Sequence, residues 1–521
     1  MDTEEEEILI QAKPNFIRVL IMIICIIFQA AILGIVIHFF SRQAAWIEGV
    51  FRLLSIIVIL YIIRRTEHLS SDLMWIILIM LFPVPGTAAY LLLGADLIMS
   101  TTFQNIVKET DKAKDYYFQD IQVLKEIEQA APMKKGQFHY ISQSAGFPFY
   151  RNTGFDYYRT GEEGFPFILE EMKKAERFIF LEYFIIEPGE MWNQMLQILL
   201  QKARQGVECR VLYDDMGSFG TLPASYAKEL EKQGIKSVPF NRITPILGTI
   251  MNHRDHRKIL VIDGKVAFSG GINLADEYIN RFERFGYWKD NLIRVRGEAV
   301  WSYTVLFLTT WNALRHEDEN YMVFKTYDVH GSTGTDASDF DGYIAPYGET
   351  PLDDEITSQN VYMNILNQAV DYCYITTPYL IIDNELTNAL LLTAKRGVDV
   401  RILTPGIPDK RLIWMITRSY YAPLMKGGVK IYEYTPGFVH GKVFIADDNV
   451  ATVGTINLDY RSLYLHFENG TYLYGSRKIL DIRNDYLDAL KVSRRIRKGD
   501  IKNGVLKEML LYFLRLFTPL L

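Results

Sequence analysis

The chain carries one pattern twice. ILEEMKKAERFIFLEYFIIEP (168–188), followed by LLQKARQGVECRVLYDD (199–215), is matched by ILNQAVDYCYITTPYLIIDN (365–384), followed by LTAKRGVDVRILTPG (392–406). Each copy reads as a helical lead, an apolar strand, a second helix and a buried strand. Strands alternating with helices predict an α/β fold with a largely parallel, buried sheet in each copy. At 521 residues the chain has room for two such halves and more.

Each half then closes on the same constellation. The first is NHRDHRKILVIDGKVAFSGGIN (252–273) and the second FVHGKVFIADDNVATVGTINLDYRS (438–462). His256 and Lys258 stand two apart, as do His440 and Lys442. Asp263 and Asp447 follow the lysines by five residues, Gly270 and Gly454 follow the aspartates by seven, and Asn273 and Asn457 lie three further on. Residues i and i+2 of a strand face the same way, so each His–Lys pair projects together. An imidazole beside an ammonium attracts an anion, and a phosphate suits it. The asparagines add neutral donors, and Ser269, Gly270, Gly271, Gly454 and Thr455 allow close approach of backbone to ligand. Asp263 and Asp447 sit where strand passes into turn and are expected to orient the strand end or hold donors rather than react.

Two histidines from two matching halves make a complete acid–base pair. One attacks phosphorus and forms a phosphohistidine; the other protonates the leaving alcohol and deprotonates the next. The residues alone do not distinguish which does which. Lysine and asparagine supply charge stabilisation, no acidic cluster or paired-histidine spacing asks for a metal, and no cofactor is expected. No G-x-x-x-x-G-K-[ST] loop is present, so no nucleotide is expected either. The formal net charge of −6 gives no global footprint of a nucleic-acid binder. Cys25, Cys209 and Cys373 lie too far apart in sequence for a zinc spacing or a disulfide framework, and the last two read as buried small hydrophobes.

The ends of the chain point to a membrane. Residues 16–40 are almost wholly apolar and long enough to cross a hydrocarbon core as a helix. Residues 44–63 form a second candidate span, weakened by Glu48 and Arg52. Residues 73–94 form a third, interrupted by Pro83, Pro85 and Gly86, and read as a kinked span or a re-entrant hairpin. At the other end Lys491, Arg494, Arg495, Arg497, Lys498 and Lys502 precede VLKEMLLYFLRLFTPLL (505–521), a pattern for a basic, amphipathic helix on anionic headgroups or packed on the fold. The expected division is 1–100 membrane region, 101–330 first half, 331–490 second half and 491–521 terminal helix, with 327–357 as a polar loop between halves. The expected location is a cell membrane, crossed more than once.

At these motifs the sequence resembles the phospholipase D superfamily, whose paired HKD motifs have this form, and within it the bacterial cardiolipin synthases. The resemblance covers nearly the whole chain, through LFPVPGTAAYLLLG, LEYFII, NHRDHRKILVIDG, GGINLADEY, YWKDNLIRVRG, ITTPYLI, VHGKVFIADD, GTINLDYRS and LRLFTPLL. It implies two phospholipase D-like α/β/α halves packed as a pseudo-twofold pair behind N-terminal transmembrane helices. It implies catalysis by His256, Lys258, Asp263, His440, Lys442 and Asp447, with His256 as nucleophile, His440 as acid and base, and phosphate held by Asn273 and Asn457 beside Gly271 and Thr455. Asp290 (in YWKD) and Glu468 (in HFENG) are the carboxylates expected to orient the imidazoles. The implied reaction joins two phosphatidylglycerols into cardiolipin and glycerol. The alternative on the same residues is a membrane phospholipase D that hydrolyses lipid or transfers phosphatidyl groups to other alcohols.

Overall fold

The apolar runs of both repeats become the central strands of two sheets. The computed structural model describes residues 27–28, 31, 45–65, 69–91, 100–243, 252–326, 341–501, 504–515 and 517–518. In the first half the strands are β1 (Thr153–Tyr158), β2 (Phe178–Tyr183), β3 (Glu208–Asp214), β4 (Lys236–Phe240), β5 (Arg254–Asp255), β6 (Lys258–Ile262), β7 (Val266–Gly270), β8 (Tyr287–Lys289) and β9 (Leu292–Gly297). In the second they are β10 (Tyr343–Glu349), β11 (Tyr372–Thr376), β12 (Leu380–Ile381), β13 (Asp399–Pro405), β14 (Lys430–Tyr434), β15 (Gly437–Val439), β16 (Val443–Ala446), β17 (Val450–Gly454), β18 (Leu458–Asp459), β19 (His466–Tyr474) and β20 (Ser493–Arg495).

The two sheets repeat one topology. The first runs β1-β9-β7-β6-β2-β3-β4 and the second β10-β19-β17-β16-β11-β13-β14, extended by β20. Along these two orders the parallel pairings are β2–β3–β4 and β11–β13–β14, each joined through a helix. The other pairings inside the repeated set are antiparallel, which corrects the expectation of largely parallel sheets. The reason is local: β6 turns straight into β7 at Asp263-Gly264, and β16 into β17 at Asp447-Asp448, with no room for a crossover helix. Asp263 and Asp447 both take the left-handed conformation at these turns, φ 54° and 51°, which Asp tolerates better than most residues. The connector is corrected too. Residues 343–349 form β10, paired with β19, and YIAPYGE buries six of its seven residues.

The halves are laced together reciprocally. β5 of the first half pairs with β19 of the second, placing Arg254 opposite His466 and Asp255 opposite Phe467. β15 of the second pairs with β8 of the first, placing Val439 opposite Lys289. Between the halves lies the helix Val300–Arg315, buried along nearly its whole length and touching β2, β6, β7 and β9 as well as β10. A helix apolar on all sides belongs in such an interior. Cys209 and Cys373 are buried thiols inside their sheets, and burial pushes the Cys209 thiol up to about 12.

At the N-terminus, among the described residues, no helix is long and apolar enough to cross a membrane. This corrects the expected spans at 44–63 and 73–94; the segment 16–40 lies outside the described residues apart from 27, 28 and 31. In the helix Ala45–Arg65, the stretch free of charge between Arg52 and Arg64 covers only ~17 Å at 1.5 Å per residue, against ~30 Å of hydrocarbon. The third segment breaks at Phe82 into the helices Leu69–Leu81 and Pro83–Ala89. These helices pack through Val58, Ile62, Met74, Trp75 and Ile79, with Ser55 Oγ donating to the Pro83 carbonyl at 3.0 Å. The expected C-terminal helix is also divided. The basic run forms β20 and a short 3-10 turn, and only Val505–Arg515 is α-helical. That helix packs on Arg411–Ser419, with the Arg515 guanidinium 3.8 Å from the centre of the Tyr420 ring.

Candidate active site

The reciprocal strands set the two histidines at the seam. His256 follows β5 and donates its backbone N–H to the Phe467 carbonyl at 2.8 Å; His440 follows β15 and donates to the Lys289 carbonyl at 2.7 Å. Each imidazole then meets a carboxylate of the opposite half. His256 Nδ1 lies 2.8 and 2.9 Å from the two carboxylate oxygens of Glu468. His440 Nδ1 lies 2.7 Å from Asp290 Oδ2. With Nδ1 held by the carboxylate, Nε2 is the nitrogen left for chemistry.

Both histidines line one cavity of about 810 Å³, with Asn273 and Asn457. Its walls are partly aromatic. Phe184 lies 5.0 Å from His256, and Trp288 5.4 Å from His440, centre to centre. Asn273 is held by its neighbours: Oδ1 accepts from the Ile185 N–H at 3.1 Å, and Nδ2 donates to the Tyr278 hydroxyl at 2.8 Å.

Lys258 and Lys442 stand behind the histidines, nearly fully buried. Each ammonium donates to the carbonyl of its own histidine, Lys258 to that of His256 at 2.5 Å and Lys442 to that of His440. Burial brings Lys258 down to about 7 and Lys442 to about 8, against the opposing pull of Glu468 and Asp290. Burial, aided by Lys258, holds His256 well below the ordinary imidazole range; burial and Lys442 bring His440 to about 4. The two carboxylates differ. Burial drives Glu468 well above the carboxylate range. At Asp290 burial acts the same way, but the charges of His440 and Lys442 outweigh it and hold the carboxyl below that range.

A pH dependence follows. An unfolded lysine keeps its proton to about 10.4, while these two release theirs in the folded chain near 7 and 8. Between those values the unfolded state binds more protons, so stability rises with pH through this window and falls as pH drops back. Anion binding is expected to run the other way, because an anion in the cavity favours the charged lysines. The dissociation constant for dimethyl phosphate, whose own charge is constant here, is expected to rise steadily from pH 6.5 to 9.5, by up to about tenfold per unit for each lysine the anion keeps charged. Titration calorimetry at several pH values checks this; a flat profile contradicts it.

Four residues sit elsewhere than expected. Asp263 and Asp447 lie outside the cavity, ~16 Å down their strands from the lysines at 3.3 Å per residue. Asp263 accepts the backbone N–H groups of Glu176, Arg177 and Phe178, each at 2.8 Å. Asp447 accepts those of Val370, Asp371 and Tyr372 at 2.9 to 3.0 Å. They tie the turn to the start of the neighbouring strand, and the part in catalysis that the resemblance implied for them has no geometry behind it. Asp263→Ala is expected to lower stability by about 3 kcal/mol in urea unfolding, with turnover per folded molecule kept within about threefold. A larger fall in turnover than in stability overturns this.

Gly271 and Thr455, expected beside the phosphate, are the other two. They stand behind the carboxylates instead. A Cβ on Gly271 would lie 2.0 Å from Asp290 Oδ1. At the equivalent position Thr455 donates its hydroxyl to Glu468 Oε2 at 2.5 Å. The shorter Asp packs on Gly and the longer Glu is held by Thr.

The comparisons with known proteins follow this geometry. Residues 168–286 and 362–490, the two halves with their motifs, match the family described as "Cardiolipin synthase, PLD-like domain". Residues 53–94 match "Phospholipase_D-nuclease N-terminal". A cardiolipin synthase of Halalkalibacterium halodurans is 33% identical over 92% of this chain and 96% of its own length. The chain belongs to the cardiolipin synthase family. A Streptococcus mutans protein described only as uncharacterized is 46% identical over 89% of this chain and 99% of its own. Among solved structures, the phosphatidylserine synthase of Haemophilus influenzae Rd KW20 has a TM-score of 0.53 at 14% identity, covering 74% of this chain and 98% of that one, a likeness of fold. The two halves of this family member are phospholipase D-like α/β domains.

Sequence reasoning missed several cavity residues. Arg254, Tyr278, Trp288, Arg461 and His466 all line it. Arg254 and His466 are drawn in by the β5–β19 pairing, which joins residues more than two hundred positions apart. A pattern confined to one strand carries no sign of that.

Proposed function

We propose that the chain is a phosphatidyltransferase that makes cardiolipin and glycerol from two phosphatidylglycerols through a phosphohistidine. The observation that carries this is the crossed pair of imidazole–carboxylate contacts, His256–Glu468 and His440–Asp290, in one cavity. His256 Nε2 attacks the donor phosphorus. As the bond from phosphorus to the headgroup oxygen breaks, His440 Nε2 gives that oxygen its proton, and glycerol leaves. His440 then takes the proton of the acceptor's hydroxyl, which attacks phosphorus and breaks the bond to His256. One phosphodiester replaces another, so no energy source is required.

The unequal carboxylates support these roles. Asp290 is the ionised one, and a fixed negative charge favours the imidazolium that an acid needs. His256, opposite a carboxyl that burial keeps neutral, stays an uncharged nucleophile. When a phosphodiester enters, its charge offsets that of the lysines and raises both imidazoles. Lys258 and Lys442 stabilise the equatorial oxygens, and Asn273 and Asn457 bound the phosphate. No metal, cofactor or nucleotide has a part in this scheme.

We further propose the cell membrane as its place of work. Leu53, Ile56, Ile57, Leu60, Met80 and Leu81 leave half or more of their surface exposed on the N-terminal helices, and Leu506, Met509 and Leu510 on the terminal one. Trp75, a buried residue of the same N-terminal helices, and Thr518 line the reaction cavity, which puts the apolar surfaces near its mouth. The helices 45–65 and 69–89 then lie in the interface as a re-entrant element, with 16–40 as the anchor by its length and apolarity.

The test is a lipid analysis after incubation of membranes containing the chain with labelled phosphatidylglycerol, chelator and no nucleotide. Cardiolipin with an equal amount of glycerol supports the synthase. Phosphatidic acid as the main product makes the chain a hydrolase.

A further inference from the structure

His466 is buried, 8% exposed, and lines the reaction cavity with neither ring nitrogen hydrogen-bonded. Its Nδ1 is 3.9 Å from Glu468 Oε1, beyond hydrogen-bond range. A buried imidazole without partners is costly unless a ligand supplies them. Its ring centre lies 5.7 Å from that of His256, and Arg254 and Arg461 line the same cavity.

Geometry alone leaves two kinds of ligand. His256, His466 and Glu468 offer donor atoms within 4.8 Å of one another, a spacing that fits a metal ion. The surroundings choose otherwise. Glu468 is already engaged by His256 Nδ1 and by the Thr455 hydroxyl. After burial, the positive charges of Arg461, Lys258 and Arg254 are the largest influences holding His466 neutral. Two of the counter-charges are weakened by burial: Asp214, 3.5 Å from Arg254, is pushed up to about 7, and Asp459 near Arg461 is raised as well. A dication entering this field is repelled and an anion is drawn in.

The reaction proposed above brings two phosphodiesters into one cavity. One reacts between His256 and His440; the other belongs to the acceptor and does not react. A three-carbon bridge joins the two phosphates of the product, a span on the scale of the gap between His256 and His466. We infer that His466, with Arg254 and Arg461, forms a second anion subsite that holds the acceptor lipid's own phosphodiester beside the reacting one. This rests on the reading of the chain as a transferase between two phosphatidylglycerols. The subsite favours a phosphate-bearing alcohol over water or a neutral alcohol as second nucleophile.

The test compares two acceptors in the full chain in lipid vesicles. Cardiolipin formation reports the phosphate-bearing acceptor; exchange of labelled glycerol into phosphatidylglycerol reports a neutral one. His466→Phe keeps a ring of similar size without a donor, and His466→Gln restores a donor. In His466→Phe the ratio of cardiolipin formation to glycerol exchange is expected to fall about tenfold or more, the loss of one hydrogen bond to a charged group. His466→Gln is expected to recover most of the ratio. Inorganic phosphate is expected to raise KM for phosphatidylglycerol as acceptor and leave that for glycerol unmoved.

An equal fall in both activities places His466 on the reacting phosphate and overturns the inference, as does an unchanged ratio. Inorganic phosphate that stimulates transfer assigns the subsite to free phosphate and also overturns it. Zinc binding lost in His466→Phe, with the ratio unmoved, makes it a metal site. These outcomes concern the variants. Phosphatidic acid in place of cardiolipin from the unaltered chain defeats the reading of the reaction itself.

Discussion

Replacing either His256 or His440 by Ala is expected to lower cardiolipin formation by at least about 10³-fold, because each removes a group that makes or breaks a bond at phosphorus. The two losses are expected to differ in kind. A phosphodiester with a nitrophenol leaving group needs no proton from an acid. With that donor, His440→Ala is expected to release a burst of nitrophenol equal to the enzyme present and then stall, since transfer of the phosphatidyl group from His256 to the acceptor lacks its base. His256→Ala is expected to give no burst. Stopped-flow absorbance separates the cases. The asymmetry has a physical source: Asp290, held ionised beside His440, favours the imidazolium, while buried Glu468 leaves His256 uncharged. A burst from His256→Ala and none from His440→Ala reverses the roles.

The second large effect is expected from one methyl group. Gly271→Ala puts a Cβ 2.0 Å from Asp290 Oδ1 and 2.8 Å from its Cγ, a separation that real atoms do not keep. Asp290 is buried and fixed to His440 Nδ1 at 2.7 Å, so the carboxylate must move and the imidazole with it. Misplacement of a catalytic group by about 1 Å costs about 10²-fold, and a loss of that order in kcat is expected. The defect falls on His440, so the burst with the activated donor is expected to survive while turnover on lipid does not. Thr455→Ser, which keeps the hydroxyl on Glu468, is expected to lose less than about threefold. Kinetics with both donors check the pair. Wild-type turnover by Gly271→Ala would show that Asp290 does not orient the acid.

Much of this was legible in the sequence, for reasons that sit within single strands. The period-2 placement of His256 with Lys258 and of His440 with Lys442, and its recurrence at identical spacing, identified both motifs. The turn position of Asp263 and Asp447 indicated that they hold backbone, and the structure finds both carboxylates on three N–H groups each. Asp290 and Glu468 stood out as carboxylates near strand ends. Their pairing across the seam did not. It depends on β5 meeting β19 and β15 meeting β8, contacts between segments that share no local pattern.

The misreadings have the same origin. Helix–strand alternation implies parallel pairing only where a helix connects the strands, and β6–β7 and β16–β17 turn back without one. Gly271 read as room for a ligand; the space is filled by Asp290. His466 opens β19 in LHFENG, where one histidine in an apolar run carries no signal. Only the fold sets it beside His256 with empty nitrogens.

The most direct measurement of the central claim is to trap the covalent intermediate. His440→Ala, incubated with a phosphatidyl donor that carries a nitrophenol leaving group and a labelled phosphate, and so needs no acid, is quenched in mild alkali, digested and mapped by mass spectrometry. A phosphatidyl group on His256 and on no other residue, absent from the His256→Ala, His440→Ala double variant, is the predicted result. Label on any other side chain, or full cardiolipin turnover by His440→Ala with no labelled peptide, contradicts the two-histidine relay.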